Sequence, residues 1–179
     1  MYPFTKLKIK TDIVDCHYGA EDSAYGDDKS IEFFKIPKLI EDQLFAIIPI
    51  EYRKHFFCSI MRINANYIRP HTDSDRKVGI NFYIEPGNAM TVFYNKKENT
   101  ADNMKVVGQT NGSVYNESDL IPHKTFKAEV GSIWILDVTQ IHGVYSLSNT
   151  QRIAYNISSN ILNYNDTLEI LNHLLSPAQ

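Results

Sequence analysis

A mainly β chain, with two antiparallel sheets facing each other across a pocket and helices at the flanks, is what this sequence predicts. Three observations carry that expectation. Short apolar or β-branched runs recur from Phe57 to Ile157, turn residues punctuate them, and helical spacing is confined to two stretches outside the main run of strands. Many short strands with marginal helices favour a jelly roll over a bundle or a doubly wound sheet.

The first thirty residues mix charge, Gly19, Gly26 and the acidic pairs Glu21-Asp22 and Asp27-Asp28, which predicts an irregular entry with one edge strand. From Pro37, the spacing of Leu39, Ile40, Leu44, Phe45, Ile47 and Ile48 predicts an amphipathic helix stopped by Pro49 and packed on a sheet. Strands follow at Phe57 to Asn64, at Val78 to Ile84 with Ile80, Phe82 and Ile84 on one face, and at Met90 to Tyr94. Glu85-Pro86-Gly87-Asn88 is the turn between the last two. Residues 95–127 turn polar and are expected to form an insertion or lid. Gly131 then introduces a strand over Ser132–Leu136, and Ser146–Thr150 leads into another from Arg152 to Ile157. Leu168, Leu171, Leu174 and Leu175 predict a short closing helix. Internal repeats and low-complexity tracts are absent from the sequence.

With 179 residues and no long linker, residues 1–179 are expected to form a single domain with its core at about 57–158. The net charge of −3 gives no reason to expect nucleic acid or an acidic membrane as the main partner. The N-terminus lacks the pattern of a secretory signal and no stretch reaches the ~20 apolar residues of a membrane span, so the expected location is cytoplasmic. Cys16 and Cys58 are expected to be reduced structural thiols.

The chemistry concentrates in Ile68-Arg69-Pro70-His71-Thr72-Asp73, in His142, and in Arg152. A His-any-Asp triplet is weak alone, and each His has an ordinary reading as a solvated loop residue. Its context strengthens it. On an extended segment His71 and Asp73 share a face, Pro70 favours a strand end at a pocket mouth, and His142 follows an apolar run that would deliver it to the same rim. Two imidazoles and one carboxylate suit non-haem Fe(II), because they hold the ion and leave three positions open. A 2-oxo acid can fill two of these and dioxygen (O2) the third. Its far carboxylate then needs a cation. If Ile153, Tyr155 and Ile157 pack outward, Arg152 points into the pocket, where its planar fork matches a carboxylate. The bland reading is a surface Arg at a strand start.

On these residues the chain resembles the Fe(II)/2-oxoglutarate-dependent oxygenase superfamily from about Phe57 to Ser158. The turn Gly87-Asn88 before Thr91-Val92-Phe93-Tyr94 is similar to that family's pattern, as are Gly131, Trp134 and Asp137 before His142-Gly143-Val144. The resemblance implies a double-stranded β-helix, with His71, Asp73 and His142 as iron ligands and Arg152 on the distal carboxylate of 2-oxoglutarate. It implies oxidative decarboxylation to succinate and CO2, coupled to substrate hydroxylation. Plant-type members carry Ser two positions after the Arg, where this chain has Ala154, so a second co-substrate contact is sought among Tyr67, Asn81, Tyr83 and Thr91. Ordinary sheet-surface roles are an equal reading for Asn81 and Tyr83. Nucleobase-repair members carry a second Arg where Ser158 stands, which weakens a demethylase reading. Having Asp73 as a ligand argues against halogenation.

The substrate class that the resemblance favours is an amino-acid or peptidyl side chain. A nucleotide or small metabolite is the alternative, as is a non-catalytic or cupin-like metal-binding jelly roll. Arg62, Arg69 and Arg76 lie near the motif and are read as solvated charges, with steering of an anionic substrate as the rival reading. His17, His55, His123 and His173 have no carboxylate two positions away and are assigned no metal.

Overall fold

A computed structural model describes residues 2–11, 13, 21–25, 30–98, 112–148 and 150–175. Cys16, His17, Asp27, Asp28 and the middle of the polar stretch, 99–111, lie outside the described residues.

The strands are β1 (Phe4–Lys10), β2 (Glu21–Tyr25), β3 (Ile31–Phe34), β4 (Phe57–Ile63), β5 (Tyr67–Thr72), β6 (Val78–Glu85), β7 (Ala89–Lys96), β8 (Ser113–Val114), β9 (Leu120–Lys127), β10 (Ser132–Leu136), β11 (His142–Ser146) and β12 (Arg152–Ser159). Two helices, α1 (Lys38–Phe45) and α2 (Tyr164–Ile170), complete the described elements with three short 3₁₀ turns. The larger sheet has the order β1-β10-β6-β12-β4-β3-β2, and the smaller one β8-β5-β11-β7-β9. Every pairing is antiparallel, and β4 to β12 wind back and forth between the two sheets. The fold is therefore mainly β, a double-stranded β-helix (jelly roll) with flanking helices.

The alternation on β6 and β12 builds the molecule in layers. Ile80, Phe82 and Ile84 of β6, with Ile153, Tyr155 and Ile157 of β12, pack away from the second sheet into a core with Ile40, Leu44 and Phe45 of α1 and Leu171 after α2. Full burial of one such side chain stabilises by about 1.5–3 kcal/mol, and Ile80, Tyr155 and Ile157 are wholly buried. The opposite faces, Gly79, Asn81 and Tyr83 on β6 and Arg152 and Asn156 on β12, turn inward and line a cavity between the sheets. A strand buried on both faces carries polar residues inside only where a site needs them.

The helices sit where the spacing places them. α1 starts after Pro37, which lacks a donor the first turn does not need, and it ends before Pro49. α2 begins with a capping box in which Asn163 accepts from the Asp166 N–H and Asp166 accepts from the Asn163 N–H. Among the described residues no helix is long and apolar enough to cross a membrane.

Two expectations are corrected. The N-terminal region supplies not one edge strand but two, with β1 and β2 at opposite edges of the large sheet. The polar stretch 95–127 is not all insertion, because β7 continues to Lys96 and Leu120–Lys127 forms β9. β9 is an edge strand that exposes Ile121, Pro122, His123, Thr125 and Lys127, so its composition resembles a loop although it pairs along β7. Its described remainder, 112–119, lies against β5 and the outer face of the small sheet, where Glu117 accepts from Tyr67 and Tyr145.

Candidate metal site

His71 and His142 are direct cross-strand partners on β5 and β11, and their ring centroids stand 4.4 Å apart. Asp73 follows the end of β5, fixed by its N–H donating to the Val138 carbonyl at 2.9 Å. Ligand atoms of His71, Asp73 and His142 all lie within 4.8 Å of one another, and all three residues are buried. Small side-chain rotations bring such a set onto one ion, whose bonds to nitrogen and oxygen run to about 2.0–2.2 Å.

A bulge makes this possible. Between the pairs His142↔His71 and Val144↔Ile68, β11 advances two residues while β5 advances three. Arg69 and Pro70 thus oppose Gly143 alone. Proline is tolerated at such a bulge because its missing N–H falls outside the ladder. A Cβ on Gly143 would lie 2.8 Å from the Ile68 carbonyl oxygen and 3.4 Å from Pro70 N, so the bulge needs glycine opposite it.

Each imidazole is also oriented from behind. His71 Nδ1 lies 2.8 Å from the Arg69 carbonyl oxygen, and His142 Nδ1 lies 2.9 Å from that of Gln140. A carbonyl only accepts, so Nδ1 carries the proton and Nε2 keeps its lone pair for a metal. Phe93 stacks on His142 with centroids 5.6 Å apart. Burial, then the neighbouring His71, pushes the His142 pKa down to about 4, against the opposing pull of Asp73. Burial pushes the Asp73 carboxyl up, but Arg76, His142 and His71 together outweigh it and hold the group below the ordinary carboxylate range. His142 is therefore a neutral imidazole and Asp73 an anion at neutral pH, and together with the His71 ring they form a donor set that fits a divalent cation.

Arg152 opens β12 in the same cavity with only 3% of its surface exposed. Its Nη2 donates to the Tyr83 hydroxyl at 2.6 Å and to Thr91 Oγ1 at 2.9 Å. Its Nε and Nη1 are buried with no protein partner. A cation buried with two idle donors is costly unless an anion completes it. A polar chain runs toward it: Ser158 Oγ donates to Asn156 Oδ1, Asn156 Nδ2 to Asn81 Oδ1 at 2.6 Å, and Asn81 Nδ2 to the Tyr83 hydroxyl at 3.1 Å. With Arg152 and Asn81 both donating to it, the Tyr83 oxygen has used its lone pairs, and its own proton is left for a third group.

Asn81, Tyr83, Thr91 and Arg152 thus share a cavity with His71, Asp73 and His142. Tyr67 does not. It is 38% exposed, its ring lies 5.0 Å from Tyr145, and it donates to Glu117 on the outer face. The extra residue of the bulge is the reason: four positions before His71 would share its face on a regular strand, but the bulge reverses the parity and gives that place to Ile68.

Arg69 is exposed, whereas Arg62 and Arg76 are engaged. Arg62 pairs with buried Glu32 at 2.6 Å. Arg76 lines the cavity, with Nη2 2.6 Å from Asp73 Oδ2. Sequence reasoning missed Arg76, Asn156 and Gly79 as cavity residues. A Cβ on Gly79 would stand 3.3 Å from Asn156 Nδ2, so its absence keeps that floor open. The parity that placed Asn81 and Tyr83 inward also places Gly79 there, and that of Arg152 places Asn156.

No family model matches this chain, and no curated protein sequence matches it. Solved structures similar to it include the vicilin of Corylus avellana (hazelnut), with 11% identity and a TM-score of 0.42, covering 78% of this chain and 31% of that one. The vicilin of Capsicum annuum has 13% identity and a TM-score of 0.44 over 77% and 30% of the two chains. Bacillus subtilis oxalate decarboxylase, a protein with Mn(II) centres, has 9% identity and a TM-score of 0.41 over 89% and 37%. The chain spans about a third of the length of these neighbours. At such scores they carry no argument about activity. The sheets and cavity themselves define a jelly roll with a His/Asp cluster able to hold a metal.

Proposed function

We propose that this protein is an Fe(II)- and 2-oxoglutarate-dependent oxygenase that hydroxylates an amino-acid or peptidyl side chain. One observation carries the proposal: Arg152 presents two donor nitrogens, Nε and Nη1, without a protein partner inside the cavity that also holds His71, Asp73 and His142. A metal site alone leaves that buried guanidinium without a purpose. A diacid bound to the metal at one end gives it one.

His71 Nε2, His142 Nε2 and an Asp73 oxygen would hold the iron. Bound there with 2-oxoglutarate, Fe(II) supplies the activation of dioxygen that accompanies decarboxylation to succinate and CO2. The residues of the chain bind, orient and exclude water. Arg152 would donate to the distal carboxylate from one of its open edges, Nη1 or Nε, and Tyr83 and Thr91 stand beside it with hydroxyl protons to give. Asn81, held by Asn156 and Ser158, orients the Tyr83 hydroxyl. Ile31, Phe33, Met61, Ile63, Ile68 and Val144 leave an apolar wall for a carbon side chain and keep the charged contacts dry. A single domain of residues 1–179 acting in the cytoplasm on a small molecule or peptide, without nucleic acid or membrane, completes the proposal.

The three metal-ligating side chains would serve equally in a cupin-like metalloprotein with no 2-oxoglutarate, and that is the second reading. Succinate release from 2-oxoglutarate, with Fe(II) and oxygen, screened against free amino acids, peptides and nucleosides, separates the two. The proposal expects release stimulated by an amino acid or peptide and lost in Asp73→Ala. Stimulation by nucleosides alone would move the substrate class to nucleotides. No release, with iron bound, would favour the cupin-like reading.

A further inference from the structure

The bend after β5 returns Arg76 onto Asp73, and the contact is unusual in three respects. Asp73 Oδ1 faces His71 Nε2 at 3.6 Å, so the carboxylate divides its two oxygens between His71 and the guanidinium. The 2.6 Å ion pair falls on the carboxylate oxygen Oδ2, for which the protein offers no other hydrogen-bond partner. Arg76 is in turn tied to the other sheet, its guanidinium 5.0 Å from the ring centroid of Phe33 on β3. The side chain is only 19% exposed, and Asp73 only 5%.

We propose that Arg76 is a positioning residue that confines Asp73 to one-oxygen coordination and so keeps a metal position open for the co-substrate. The inference rests on the oxygenase reading above for its consequence, but its first step concerns the carboxylate alone. A carboxylate can bind a divalent ion through one oxygen or both. With Oδ2 occupied by a cation anchored to the facing sheet, rotation into two-oxygen binding would break the ion pair. Without Arg76 nothing among the described contacts of Oδ2 opposes that rotation. Two-oxygen binding would take one of the three places that a chelating 2-oxo acid and dioxygen require.

The resulting signature differs from that of a residue needed only for folding. Losing a neighbouring positive charge favours a bound cation, so Arg76→Gln is expected to bind Co(II) at least as tightly as the parent protein. Its affinity for 2-oxoglutarate on the Co(II) protein is expected to fall about 10–100-fold, the usual scale for losing an outer partner of a metal ligand. The visible absorption of the Co(II) protein before 2-oxoglutarate is added should change intensity, because it reports coordination number and geometry. Arg76→Lys should restore both properties in part. Circular dichroism and the thermal midpoint establish that each variant is folded. An unchanged spectrum and unchanged 2-oxoglutarate affinity would overturn the proposal, as would parallel losses of Co(II) binding, 2-oxoglutarate binding and thermal stability. If the parent protein binds Co(II) but not 2-oxoglutarate, the oxygenase reading fails, and the Co(II) spectra of parent and Arg76→Gln still decide how Asp73 binds.

Discussion

Replacing Arg152 by methionine separates the cost of a functional site from its use. The guanidinium is 3% exposed, spends Nη2 on Tyr83 and Thr91, and leaves Nε and Nη1 idle. In the protein without co-substrate it is a buried charge with an incomplete shell, so a methionine of similar length is expected to leave the fold as stable or more so. With co-substrate the sign reverses. A charge-assisted hydrogen bond to that carboxylate, at about 1.5–3 kcal/mol, would weaken 2-oxoglutarate binding roughly 10–100-fold if lost. The assay is thermal unfolding with Mn(II) in place of iron, with and without 2-oxoglutarate. Ligand at 100 times its Kd stabilises by about 2.7 kcal/mol, or roughly 5–11 °C at this chain length. The parent protein is expected to show that rise and Arg152→Met about half of it or less, from an equal or higher starting midpoint. A variant that loses several degrees without ligand yet keeps the full rise would refute the reasoning, since Arg152 would then be a structural ion.

Further expectations follow from the same geometry. On the proposed function, Tyr83→Phe removes a hydroxyl proton available to the distal carboxylate and should weaken 2-oxoglutarate binding on the order of tenfold by calorimetric titration, whereas Tyr67→Phe, on the outer face, should leave it unchanged. Gly143→Ala forces a Cβ to within 2.8 Å of the Ile68 carbonyl, so about 1–3 kcal/mol of stability should be lost in denaturant unfolding, with weaker Zn(II) binding as His71 shifts. Metal-free protein should lose stability in acid. His142 has a folded pKa near 4 against an unfolded value near 6.5, so between these pH values the unfolded chain holds more protons and stability falls as pH falls. The cost approaches about 3 kcal/mol by pH 4 and is absent above about pH 6.5. Asp73, also held low, adds loss in the same direction at still lower pH. Thermal midpoints from pH 7 to 4 should fall less steeply in His142→Asn, and parallel slopes would contradict the assignment.

Alternation made much of this legible from the sequence. Ile80, Phe82 and Ile84 set one face of β6, which placed Asn81 and Tyr83 on the other, and Ile153, Tyr155 and Ile157 did the same for Arg152. Parity fails where the backbone slips: the pattern puts Tyr67 inward, and the bulge at Arg69–Pro70 turns it out. Edge position hid β9, whose outward residues read as loop, and β11 was hidden because Gly143 interrupts its apolar pattern. Arg76 looks solvated in the sequence because its partners are set in space: Asp73 is near in sequence, but Phe33 comes from the facing sheet.

The most direct test of the central claim is the visible absorption of the Fe(II) protein on addition of 2-oxoglutarate without oxygen. A charge-transfer band that saturates at one co-substrate per chain, is absent in Asp73→Ala and needs far more 2-oxoglutarate in Arg152→Met is the expected result. Bound iron with no band at any 2-oxoglutarate concentration would contradict it, leaving a metal-binding jelly roll whose buried arginine serves some other anion.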